Sequence, residues 1–138
     1  MDESPGPGEG SRQWGKGLRP LRPRFDYRDR SAMFILLVAS TDSPETLETV
    51  HRLTQATVSR GHRVAVFFNS QSTRLLDSDR DSPPLHSLSQ LGVRLLACRT
   101  SALEALAPKG ALMDGAEMSS LGELVDLMAD ADRALFLG

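Results

Sequence analysis

The feature that most constrains the fold is a short, continuously apolar run over residues 33–40 (MFILLVAS). A strand that is covered by helices on both faces reads as an unbroken apolar run, because neither side meets water. Capping residues and a proline follow at 41–44, and a helical pattern with Leu47 and Val50 on its buried stripe continues to Gly61. This succession predicts one β-α unit of a parallel sheet.

The rest of the chain repeats the alternation of strand and helix. Three further apolar segments are predicted to be strands: residues 62–68 (HRVAVFF), 93–98 (VRLLAC) and 133–137 (RALFL). Helices are expected over 85–91 and from Ser119 or Ser120 onwards, the latter with Leu121, Val125 and Met128 on one face. A further short helix through Leu106 is expected, which Thr100 or Ser101 can cap and which Pro108 and Gly110 end. The segment between the last two helices, with Met113 and Met118, is predicted to be a loop. The pattern therefore predicts an α/β fold with four mainly parallel strands and right-handed crossovers.

Residues 1–32 differ in composition from the rest of the chain. They hold four of the eight prolines, five of the eleven glycines and seven of the sixteen lysines and arginines, without apolar periodicity. Such a segment cannot bury enough apolar surface to order itself, so a disordered extension (1–32) is predicted ahead of one domain (33–138). An alternative is that Met33 is the native start and that residues 1–32 were added upstream.

Charge and hydropathy exclude several classes of partner. Residues 33–138 carry nine lysines and arginines against 13 aspartates and glutamates, so direct binding to DNA is not expected. No apolar run approaches the roughly 20 residues that a membrane span requires, and the first residues lack the basic and apolar regions of a secretory signal. A cytoplasmic protein is therefore expected, in which the single cysteine, Cys98, stays a free thiol.

Cys98 is the residue with the most distinctive predicted position. It ends the third strand directly before a helix start, where backbone N–H groups favour an anionic sulfur. Arg99, Thr100 and Ser101 follow it, and Asn69 and Ser70 follow the second strand. Because ligands of open α/β sheets bind at the carboxyl ends of the strands, these five residues are expected to form the rim of a site around Cys98. The alternative is inert packing, since free cysteine is among the most buried residue types.

Other chemistries find little support in the sequence. A phosphatase loop of the C-x5-R type needs arginine where Glu104 stands, and no C-x-x-C pair exists for a self-contained dithiol cycle. His51, His62 and His86 lack the close spacing of zinc ligands, so no metal is expected. The glycine-rich motifs lie within residues 1–32 and follow no strand, so no nucleotide cofactor is expected either.

Three segments together resemble the DsrE/TusD-type sulfur-relay proteins of the DsrE/DsrF-like family: residues 59–69 (SRGHRVAVFFN), 91–103 (LGVRLLACRTSAL) and 119–138 (SSLGELVDLMADADRALFLG). In the active members a strand ending in cysteine follows a Gly-Val turn, a pattern that Gly92, Val93 and Cys98 reproduce. The resemblance implies a flavodoxin-like three-layer α/β/α sandwich with a mainly parallel sheet over residues 33–138. It also identifies Cys98 as the sulfur-accepting cysteine and implies no metal or organic cofactor.

The resemblance further implies a function and a set of partners. Cys98 would accept persulfide sulfur from a donor protein and pass it to a TusE/DsrC-like or TusA-like acceptor, in tRNA thiolation or in sulfur oxidation. The family assembles into homo- or hetero-oligomers of DsrE-like subunits. The alternative function is that of a non-catalytic DsrE-like subunit, which serves as a structural or interaction partner in a hetero-oligomer.

Overall fold

The computed structural model describes residues 32–106 and 111–138. Residues 1–31 of the predicted extension lie outside the described residues, as do Pro108 and Gly110, which were expected to end a helix.

Within the described residues, five strands form one entirely parallel sheet in the order β4-β3-β2-β1-β5. The strands are β1 (Phe34–Ala39), β2 (Arg63–Phe68), β3 (Arg94–Cys98), β4 (Ala116–Ser119) and β5 (Arg133–Leu137). The α-helices are α1 (Pro44–Ser59), α2 (Pro83–Gln90), α3 (Arg99–Ala105) and α4 (Leu121–Asp130), and short 3-10 helices span Ser70–Leu76 and Ser78–Arg80. The predicted α/β class and parallel sheet are therefore confirmed.

The expectation of four strands was wrong, because the segment predicted as a loop contains β4. This strand is four residues long (AEMS), and its central Glu117 and Met118 are exposed. It lies at one edge of the sheet and, among the described strands, pairs only with β3, from Leu95 opposite Ala116 to Cys98 opposite Ser119. An edge strand needs no continuous apolar run, so the pattern that predicts the buried strands does not detect it.

The direction of the crossovers determines which face of the sheet each helix covers. From β1 to β4 each connection moves one strand along the sheet in the same direction, and the last connection returns from β4 to β5 at the opposite edge. Since parallel crossovers are right-handed, reversing the direction also reverses the face on which the connecting helix lies. Accordingly α1, α2 and α3 pack on one face, and α4 alone among the described helices packs on the other.

The core consists of two apolar clusters, one on each face of the sheet. Successive residues of a strand alternate between them: Leu37 and Phe68 belong to the cluster under α1, α2 and α3, whereas Leu36 and Phe67 belong to the cluster under α4. All four side chains are fully buried. Burial of one such side chain contributes about 1.5–3 kcal/mol, so the continuous apolar runs of the sequence are what hold both layers to the sheet.

Candidate functional site

The carboxyl ends of β3 and β4 form a topological switch point. These strands are neighbours, yet the chain leaves β3 into α3 on one face and leaves β4 into α4 on the other face. A crevice opens where connections from adjacent strands separate in this way, and open α/β sheets bind their ligands there. Cys98 is the last residue of β3, so it lies at this position.

Cys98 also precedes α3 directly, as its N-cap residue, and its side chain makes no capping hydrogen bond. The expectation that Thr100 or Ser101 caps this helix was wrong by two or three residues, because α3 starts at Arg99 and Cys98 is its N-cap residue. The cysteine side chain packs in the cluster under α4, with Phe67 and Leu96, and is only 4% exposed. A sulfur donor can therefore reach the thiol only if the groups that cover it move.

Polar side chains flank Cys98 along the edge of the sheet. Ser119 is its direct partner on β4, and Asn69 occupies the next position after the pair of Phe68 with Ala97 on β2 and β3. Ser40 lies one strand further along and donates a hydrogen bond to Asn69 Oδ1 at 2.8 Å. These residues alternate with the apolar residues of the other face, so Ser40, Asn69 and Ser119 point towards the same face as Cys98. A polar row thus crosses the end of the apolar cluster at the level of the thiol.

The predicted rim residues divide between two environments. Asn69 lies on the face of Cys98, as described above. Ser70 and Ser101 meet on the other side of the strand ends, where the Ser70 N–H donates to Ser101 Oγ at 2.9 Å. They line a small cavity of about 90 Å³ between the 3-10 helix Ser70–Leu76 and α3. Arg99 and Thr100 are exposed at the start of α3.

A charged cluster that the sequence pattern does not predict lies on the Cys98 face of the sheet. Arg94 Nη2 lies 3.0 Å from Glu117 Oε1 and 3.4 Å from Glu123 Oε2, and the Ser119 hydroxyl donates a hydrogen bond to Glu123 Oε1. The hydrogen bond to Glu117, together with the charges of both carboxylates, raises the pKa of Arg94 although partial burial opposes the shift. The alternation of Arg94 with Leu96 and Cys98 places it on this face, but its partners could not be found without recognising β4.

His86 lies on the other face of the sheet from Cys98. It belongs to α2, and its Nε2 atom is 3.8 Å from Asp81 Oδ1. A cavity of about 400 Å³ lies at the amino ends of the strands, lined in part by His62, Arg63 and Phe34. Because Cys98 lies at the carboxyl ends, this larger cavity does not belong to the site.

A thiol at the switch point of an all-parallel α/β sheet, flanked by polar side chains, defines the class as a small cysteine-bearing α/β protein. The chain belongs to the DsrE/DsrF-like family, whose sequence profile matches residues 31–137. Family membership indicates a role related to sulfur relay.

Two solved structures share the fold. One is a protein of unknown function, MTH1491, from Methanobacterium thermoautotrophicum, with a TM-score of 0.65 and 16% identity over 75% of this chain and 98% of that one. The other is the ychN protein from E. coli, with a TM-score of 0.64 and 19% identity over 76% of this chain and 98% of that one. No curated protein is significantly similar in sequence. None of the helices in the described ranges is long and apolar enough to cross a membrane.

Proposed function

We propose that this protein carries sulfur as a persulfide on Cys98. The observation that supports the proposal most strongly is the position of the cysteine, which ends β3 at the topological switch point of the sheet. Parallel α/β folds place reacting groups at this point because the strand ends and helix starts leave room for a ligand there. Membership of the DsrE/DsrF-like family supports the same assignment.

The proposed reaction is two successive transfers of sulfane sulfur. The Cys98 thiolate attacks the outer sulfur of a donor persulfide, the donor S–S bond breaks, and its electron pair leaves on the donor thiolate. In the second step an acceptor thiolate attacks the terminal sulfur of the Cys98 persulfide and releases the Cys98 thiolate. Each step forms one S–S bond and breaks another, so no external oxidant or reductant is needed.

The proposed partners follow from this chemistry. The chain has one cysteine, so it cannot resolve its own persulfide and needs a thiol on another molecule. Resemblance to DsrE/TusD-type proteins favours a TusE/DsrC-like or TusA-like carrier as the acceptor, in tRNA thiolation or in sulfur oxidation. The same resemblance favours an assembly of DsrE-like subunits.

One observation supports the second candidate function, a non-catalytic subunit of such an assembly. Cys98 is 4% exposed and packs among apolar side chains, which is the usual environment of a structural cysteine. In that case the thiol would contribute only its packing, and sulfur transfer would belong to another subunit.

Mass spectrometry of the intact protein separates the two functions. After incubation with a persulfide donor, the carrier gains about 32 Da, the mass of one sulfur atom, and a reductant removes it. Cys98→Ser, which keeps nearly the same volume, gains nothing. If the wild-type protein stays unmodified under conditions in which free cysteine peptides are persulfidated, the carrier function is wrong and the subunit function stands.

A further inference from the structure

We propose that Glu123 holds the first turn of α4 over Cys98, through Arg94 and Ser119, and so controls the access of sulfur donors to the thiol. The inference rests on the proposed function and adds a means of regulating the same site. It is carried by the path of α4, by the contacts of Glu123 and by the small area that α4 otherwise buries.

The path of α4 brings its first turn close to Cys98. The helix begins directly after β4, whose last residue, Ser119, is the partner of Cys98 in the sheet. It ends beside β1, where Asp132 N–H donates to Phe34 O at 2.8 Å and Phe34 N–H donates to Asp132 Oδ2 at 2.8 Å. Between these ends α4 crosses the face that contains the cysteine. Its first turn therefore lies over the carboxyl ends of β3 and β4.

Glu123 ties this first turn to the sheet. Its carboxylate accepts a hydrogen bond from the Ser119 hydroxyl on β4, and it lies 3.4 Å from Arg94 Nη2 on β3. Arg94 belongs to β3, the strand that ends in Cys98, and Ser119 belongs to the neighbouring strand β4. Glu123 thus joins the start of α4 to β4 at the switch point and, through the long side chain of Arg94, to the amino end of β3.

Apart from these contacts, α4 buries little apolar side-chain surface against the sheet. Among its ten residues Leu127 alone is buried, with Leu124 partly buried against the same apolar cluster that contains Cys98. Leu121, Val125 and Met128 point outwards. A helix with so little buried area opens locally at low cost, and elements of this kind provide the motions that expose binding sites.

The ion pair is suited to a reversible contact. The Arg94 and Glu123 side chains are 46% and 38% exposed, so water and salt screen their attraction. A partly exposed pair of this kind contributes modestly to the free energy that keeps α4 packed on the sheet. Its removal therefore shifts the equilibrium between packed and open α4 by about three- to fivefold. A donor protein that binds Arg94 or Glu123 in place of this ion pair would shift the equilibrium towards open α4 to the same extent.

Alkylation of Cys98 by a small uncharged reagent, such as iodoacetamide, tests the inference on the folded full-length chain. In Glu123→Ala we expect alkylation about three- to fivefold faster than in the wild type. Glu117→Ala is the matched control, because it removes a carboxylate from the same arginine without releasing α4. In this control we expect the rate to be unchanged or lower. Rising salt should accelerate alkylation of the wild type but not of Glu123→Ala.

Equal alkylation rates in Glu123→Ala and the wild type overturn the inference. An equal acceleration in Glu123→Ala and Glu117→Ala also overturns it, because it would indicate a general loss of stability. The outcome is independent of sulfur transfer. If alkylation responds as expected but no persulfide forms, the proposed carrier function fails while the control of access remains. If a persulfide forms at the same rate in all three proteins, the carrier function remains and the control of access fails.

Discussion

Ser70 has a backbone φ of 52°, an uncommon value for a residue other than glycine. Strained residues of this kind persist only where neighbouring contacts hold them, and they cluster at functional sites. Here the Ser70 N–H donates to Ser101 Oγ at 2.9 Å, which joins the segment after β2 to α3. This single bond fixes two of the predicted rim residues relative to each other, next to the strand that ends in Cys98.

Loss of the hydroxyl at position 101 should therefore weaken this junction. In Ser101→Ala we expect the free energy of unfolding to fall by about 1 kcal/mol, because the Ser70 N–H loses its partner. Thr100→Ala is the matched control, since Thr100 is exposed on the same helix and its hydroxyl makes no hydrogen bond to any residue that the structure describes. Urea denaturation measures the free energy of unfolding of both variants. A loss of the same size in the control would contradict the role of the Ser70–Ser101 bond.

At the scale of single residues, the sequence predicts the placement of the cysteine but not its surroundings. Cys98 ends one buried strand and Asn69 directly follows another, so strand patterns alone bring them to one edge of the sheet. Arg94 and Glu123 are far apart in the sequence and ordinary in type, and only the path of α4 brings them together. The exposure of the thiol likewise depends on a helix that follows it by more than twenty residues.

Among the elements, β4 was missed because its position depends on packing rather than on an apolar pattern. Gly115 precedes it with φ of 92°, and an added Cβ would overlap Ser89 Oγ and lie 3.0 Å from Ser89 Cβ on α2. The backbone therefore passes directly against α2 before it enters the edge of the sheet. A close approach of this kind leaves no periodic signal in the sequence, whereas the buried strands do.

Substitution of this glycine should destabilise the protein through both strain and overlap. In Gly115→Ala we expect a loss of free energy of unfolding about 1–3 kcal/mol larger than in Gly92→Ala. Gly92 is the matched control, because its φ of 84° imposes similar strain while nothing lies within 4 Å of an added Cβ. Thermal or urea denaturation measures the difference. Equal losses in the two variants would mean that α2 moves away without cost.

At the scale of the whole molecule, the alternation of strands and helices predicts the α/β fold class. The reversal of crossover direction determines on which face of the sheet each helix lies. The sequence correctly places Leu121, Val125 and Met128 on one face of α4. It cannot say whether that face points to the sheet, because Leu124, Leu127 and Ala131 form a second apolar stripe. The structure turns the first stripe outwards, with Val125 63% exposed.

This outward face leads to a prediction about assembly. Phe136 of β5 alternates with the residues of the other face and lies on the α4 side, 64% exposed. Large exposed apolar side chains grouped on one face mark interaction surfaces, and the proposed assembly of DsrE-like subunits requires such a surface. We expect the protein to associate with further copies of itself through Val125 and its neighbours, because association removes their apolar surface from water.

Sedimentation of Val125→Glu tests the assembly, since a charge at the centre of an apolar interface is costly unless it is paired. The wild-type protein should sediment as an oligomer at micromolar concentration, and Val125→Glu as a species of lower mass. Leu103→Glu is the matched control, because Leu103 is 60% exposed on α3, which lies on the opposite face of the sheet. This variant should keep the mass of the wild type. A monomeric wild-type protein, or an oligomer that Val125→Glu leaves intact, would exclude the α4 face as the surface of self-association.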